Sequence, residues 1–141
     1  MPVENTRAVA LLCGIIKCTG LRCIVNHAGW PPQSADSYHN WLNNMRRLAA
    51  LPQCAVKVSG FEMATSYRTY SDATISRVLQ AVLSCFGSHR VMLASNFPVC
   101  QLGCSYPQLW QRYIAQLSIL RLSFKQQQAV LAGSAMHWYQ F

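Results

Sequence analysis

Three apolar runs punctuate the chain, each ending in residues that break extended structure: Ile24–Pro32 (IVNHAGWPP), Ala55–Phe61 (AVKVSGF) and Val91–Val99 (VMLASNFPV). Their apolar stretches are short and continuous rather than alternating, the pattern of parallel strands covered on both faces. Between them the apolar spacing becomes helical. Trp41, Leu42, Met45, Leu48 and Ala49 form one stripe within Ser37–Ala50, which Pro52 terminates. Ile75, Val78, Leu79, Val82, Leu83 and Phe86 form a second, opened by Ser71 or Asp72 as cap and closed by Gly87. Further helices are expected over Arg7–Lys17, over Leu109–Leu120, and from a Ser123 cap to about Trp138. Alternation of strand and helix predicts an α/β fold with right-handed crossovers. Residues 1–141 carry no repeat of fixed period and no long linker, so a single domain is expected.

Composition adds little to that picture except in charge and sulfur. The net charge is +8, with Glu4, Asp36, Glu62 and Asp72 as the four acids. Yet the bases are scattered, the longest run being Arg46-Arg47, and no basic stripe is interleaved with aromatics. A nucleic-acid partner is therefore not expected; the field suits a small anionic substrate instead. The seven cysteines include no CxxC pair, and their odd number argues against a complete disulfide framework. Free thiols and a reducing, cytoplasmic setting are the expectation, with Cys100 as the thiol to watch if it is partly exposed. The run Ala8–Ile16 reads as a wall helix rather than a signal peptide, and no stretch approaches the length of a membrane span.

The candidate chemistry lies at the ends of the strands, where barrel enzymes place catalytic groups. His27 ends the first run. If Val56 and Val58 face the helices, strand alternation turns Lys57 to the other side, into a barrel. There it either grips the carboxylate of a substrate, with Ser59 adding a hydrogen bond, or reaches up to water. Trp30 and Phe97 either line the rim or pack beneath a loop. Arg90, before the third strand, belongs to the opposite, structural face, and His39, His89 and His137 read as surface or structural histidines.

The ordered blocks NHAGWPP, LAALPQCAVKVSG, CFGSHRVMLASNFPV, SYPQLWQRYIAQLS and AMHWY lie within residues 21–139. In this order and spacing they resemble the C-terminal part of the amidohydrolase-related family, the TIM-barrel lactone and amide hydrolases. The resemblance implies a partial (β/α)8 barrel of about three βα units, the strands corresponding to the sixth, seventh and eighth. A whole barrel takes about 250 residues, against 141 here, and the HxH motif of the family's first strand does not occur. An N-terminal half is therefore expected to be supplied by another chain, or the exposed sheet to self-associate.

For chemistry, the resemblance implies attack by an activated water on a lactone or amide carbonyl, with a divalent metal (Zn or Mn) or with no metal at all. It makes His27 a metal ligand or carbonyl polariser; Lys57, Ser59 and Trp30 are candidate substrate-binding residues by their own placement. The family's last strand ends in an aspartate that serves as base. Here Asn96 takes that position, and Cys100 takes that of the acid in a branch reading SNFPVD. A neutral amide can orient water but cannot accept its proton. The expected function is thus a hydrolase incomplete as a single chain; the alternative is an inactive remnant, scaffold or binding module of the same fold.

Overall fold

The computed structural model of the chain describes residues 2–64 and 66–141. It begins with helix α1 (Thr6–Thr19), capped by Asn5, whose side chain accepts from the Ala8 amide, and closed by Gly20 in the left-handed region. Strand β1 (Cys23–Val25), helix α2 (Ala35–Ala49), strand β2 (Cys54–Val58), helix α3 (Asp72–Phe86), strand β3 (Val91–Leu93) and helix α4 (Tyr106–Ile119) follow. A continuous closing segment runs from α5 (Phe124–Gln128) through a π-helical turn (Ala129–Gly133) into α6 (Ser134–Tyr139). The sheet is parallel in the order β1-β2-β3, with Cys23 beside Cys54 and Lys57 beside Met92.

Expected caps are found at Ser71, which accepts from Thr74, and at Ser123, which forms a capping box with Gln126; Ser105, not foreseen, forms another with Gln108 and starts α4 three residues before Leu109. The strands are shorter than the apolar runs. After Val25, Val58 and Leu93 the backbone turns at once into loops, because the next residues include glycines and others held at positive φ, which a pleated strand cannot accommodate.

One sheet face meets the helices, with Val25, Cys54, Val56 and Val58 buried beneath Trp41, Leu48, Ile75 and Leu79. Alternation places Ala55 and Lys57 on the other face, together with Met92. That face is not bare, as the strand count alone had suggested. Trp138 of the closing segment covers Ala55 and Met92, leaving them 0% and 1% exposed. Arg22 stacks on the Trp138 ring at 4.4 Å and donates to the His137 carbonyl, fastening the cover. Among the described residues no further strand pairs with the outer edge of β1 or of β3.

The floor of the sheet is held as expected by Arg90, which donates to the carbonyls of Phe86, Leu51 and Cys54. At the other end, Trp41 of α2 is fully buried and its indole donates to the Ala28 carbonyl at 2.8 Å. Trp41→Phe keeps most of the packing but leaves that carbonyl unpaired. Its expected cost is about 1–3 kcal/mol, read as a lowered urea-unfolding midpoint.

Candidate functional site

The C-terminal ends of the three strands converge on one side, and the loops that follow them carry most of the candidate residues. The first loop has an unusual backbone. His27, Ala28, Gly29 and Trp30 all have positive φ (53°, 48°, 67° and 59°), a left-handed turn closed by the Trp30 amide on the His27 carbonyl. For residues with a Cβ this conformation costs about 1–2 kcal/mol each, so neighbours must enforce it. Trp41 holds Ala28, while the Val3 amide donates to Gly29 at 2.9 Å. A Cβ on Gly29 would lie 2.3 Å from the Val3 side chain, so that docking requires glycine.

The turn lays the His27 ring against the second loop. Nδ1 of His27 is 3.0 Å from Oγ of Ser59, and the pair shares one proton in a direction set by the histidine tautomer. Gly60 makes this approach possible: its φ is 77°, and a Cβ there would stand 2.6 Å from His27 Nδ1. Trp30 covers the other side of the imidazole with ring centroids 4.9 Å apart. With Nδ1 engaged, Nε2 is the ring nitrogen left for a ligand, water or substrate. His27, Trp30, Ser59, Phe61 and Met63 line a cavity of about 360 Å³ beside these loops. A larger hollow of about 870 Å³, lined by Pro52, His89 and Arg90, lies at the opposite end of the strands, away from this chemistry.

Lys57 does turn to the inner face, and there its Nζ donates to the Tyr139 hydroxyl at 3.3 Å. Burial, then the positive charge of Lys57, hold the His27 pKa below its ordinary value, while Glu62 pulls the other way. A lowered pKa keeps the imidazole neutral at neutral pH, the form that can bind a metal, donate to a carbonyl or take a proton.

The third loop starts at Ala94, whose carbonyl accepts from Tyr113 of α4. Asn96 follows in the left-handed region at φ 58°, and its Nδ2 donates to Oε1 of Glu62 at 2.6 Å. Glu62 is 1% exposed, a buried acid that the sequence reading passed over. It stands four residues beyond β2, in a loop, with no local sequence signal of its burial. The structure thus brings His27, Ser59 and Trp30 together and pairs Asn96 with Glu62.

Cys100 is a correction, being fully buried rather than partly exposed, with burial pushing its thiol pKa up. All seven cysteines are free thiols. His39, His89 and His137 are exposed. Among the described residues no three His, Cys, Asp or Glu side chains gather in a way that could hold a metal ion. His27 offers one ligand, which does not make a metal site. No helix among the described residues is long and apolar enough to cross a membrane.

Comparison with known proteins gives these features a context. A family model described as Amidohydrolase matches residues 6–141. An L-fucono-1,5-lactonase of Burkholderia multivorans is 30% identical over 125 residues, covering 82% of this chain and 42% of its own length. An uncharacterised protein, y4mH, of Sinorhizobium fredii is 31% identical over 93 residues, covering 66% of this chain and 31% of its own. The crystal structure of a Burkholderia multivorans amidohydrolase with bound zinc superposes with a TM-score of 0.84 at 27% identity, covering 96% of this chain and 50% of that one. The chain therefore spans half or less of the length of these relatives.

The lowered His27 pKa fixes a sign for stability. As pH falls, the unfolded chain takes up this proton first, so the neutral ring favours the fold above the ordinary imidazole pKa. That contribution is lost as pH falls from the ordinary value toward the lower folded one. Lys57→Gln removes a repelling charge and is expected to raise the His27 titration midpoint, followed by the imidazole Cε1 proton resonance against pH.

Proposed function

Because the chain belongs to the amidohydrolase family, we propose that it furnishes the closing part of a hydrolase site that opens a lactone or amide of a small, anionic substrate with water. The observation that carries this reading is the placement of His27, braced by Ser59 and Gly60, at the C-terminal end of a parallel strand. In such sheets that end holds the chemistry. In the reaction, the water oxygen bonds to the carbonyl carbon, the carbonyl's bond to its ring oxygen or nitrogen breaks, and the water's proton ends on the leaving atom. Neutral His27 faces this reaction through Nε2, polarising the carbonyl as a donor or taking the proton as an acceptor, according to its tautomer. Asn96 orients the water, Lys57 attracts the substrate's negative charge, and Trp30 and Ser59 shape the wall.

A divalent metal, where one takes part, would act as a Lewis acid. His27 alone does not hold it, so the remaining ligands would come from another chain. The names of the relatives suggest a sugar lactone such as L-fucono-1,5-lactone as the first substrate to try. The absence of an aspartate at position 96 favours the second reading, a scaffold of the same fold that binds without catalysing.

The test mixes the purified chain with a separately produced N-terminal half of the Burkholderia multivorans lactonase and follows proton release from L-fucono-1,5-lactone. Hydrolysis by the assembly is expected, lowered about 100-fold or more by His27→Ala. A stable assembly that leaves the lactone intact would sink the hydrolytic reading in favour of the scaffold.

A further inference from the structure

The last strand of this chain lacks the acid expected at its end, yet a carboxyl group touches the very residue that stands there. Glu62 reaches over from the loop after β2 and accepts from Asn96 Nδ2 at 2.6 Å. It is 1% exposed, whereas Asn96 is half-buried and so still open to the rim. The loop after β3 closes over it: a Cβ on Gly103 would lie 3.0 Å from Glu62 Cβ and 2.8 Å from the Arg68 carbonyl. A glutamate so enclosed has not strayed in from the surface.

The chemistry of the two groups decides their orientation. A carboxylate has no hydrogen to give, so the Asn96 amide must present its NH2 to Glu62. Its Oδ1 is thereby directed away from Glu62, as an acceptor. Without such a partner an asparagine side chain can flip, presenting a donor or an acceptor with equal ease. A hydrogen bond to a charged acceptor is also stronger than a neutral one and draws electron density toward the free amide oxygen.

We propose that Glu62 is the carboxylate of this site, a positioning residue that acts through Asn96 by fixing the amide with Oδ1 directed at the rim. The role of Asn96 toward water rests on the hydrolytic reading above; the pairing itself does not. The negative charge that the family resemblance places on the last strand is thus carried here by the loop of the preceding strand, one layer behind the rim. The titratable groups on which the charge of Glu62 acts include His27 beyond β1, Tyr70 before α3, Cys100 beyond β3 and Tyr113 of α4. Of these, only His27 carries a positive charge in the acid range, so Glu62 touches Asn96 and acts on His27 through its charge alone.

The experiment uses the full chain labelled with 15N and follows the Asn96 side-chain amide across the acid range. It is run in the wild type, Glu62→Gln, Asn96→Asp and the exchanged pair Glu62→Gln with Asn96→Asp. The expected result is an Asn96 NH2 resonance that tracks a single carboxyl titration and loses that dependence in Glu62→Gln. In Asn96→Asp, two carboxyl groups in contact share a proton, and one of them titrates well above the ordinary carboxylate range. The exchanged pair restores a single carboxyl step. If Glu62→Gln does not fold, the contrast between Asn96→Asp and the exchanged pair decides the matter. An Asn96 amide indifferent to carboxyl titration, or an Asn96→Asp chain with two ordinary carboxyl steps, overturns the proposal.

In the assembled lactonase, Glu62→Gln is expected to lower kcat about tenfold with little change in KM, the scale of one oriented charged hydrogen bond, and the exchanged pair to recover it. Loss through KM alone would also overturn the positioning role. An assembly without any hydrolysis, alongside an Asn96 amide that follows Glu62, leaves the pairing supported and removes the hydrolytic reading instead.

Discussion

The site depends on a left-handed turn that its own residues would not choose. Three residues bearing a Cβ, His27, Ala28 and Trp30, hold positive φ beside Gly29, a combined cost of several kcal/mol by the usual scale for such conformations. The strain is offset from outside the turn. Trp41 rises from the core of α2 to hold one carbonyl, and Val3 arrives from the chain start to hold another. Interior packing and rim geometry are therefore one mechanical system: α2 cannot shift without moving the histidine.

Much of this architecture was written in the pattern of apolar positions. The parallel strands, the helices between them and their caps at Ser71, Gly87 and Ser123 follow from spacing and local chemistry, and are found as read. Lys57 faces inward for the same reason, since alternation about Val56 and Val58 leaves it no other side. His27 was legible because strand ends are marked by the residues that break them, and Asn96 only through the family resemblance.

What was not legible is long-range. Nothing local tells that Ser59 lies 3.0 Å from His27, thirty-two positions earlier, or that Gly60 is glycine because an imidazole presses on it. Glu62 escaped notice because a single acid in a loop usually faces water, and only the three-dimensional closure by Gly103 and Asn96 buries it. Cover of the inner sheet face was hidden likewise. A sequence reading counts strands and edges, but it cannot see that Trp138 folds back over Ala55 and Met92.

The contact between Glu62 and Asn96 also constrains how such a site can change by descent. A chain with an aspartate at 96 and no acid at 62 would differ from this one at two coupled positions. Moving between them one substitution at a time passes either through two carboxyl groups crowded into one buried contact or through none at all. The first intermediate carries repulsion and the second loses the charge. Positions 62 and 96 are therefore expected to drift together across a lineage, a pairwise signature imposed by a single 2.6 Å hydrogen bond.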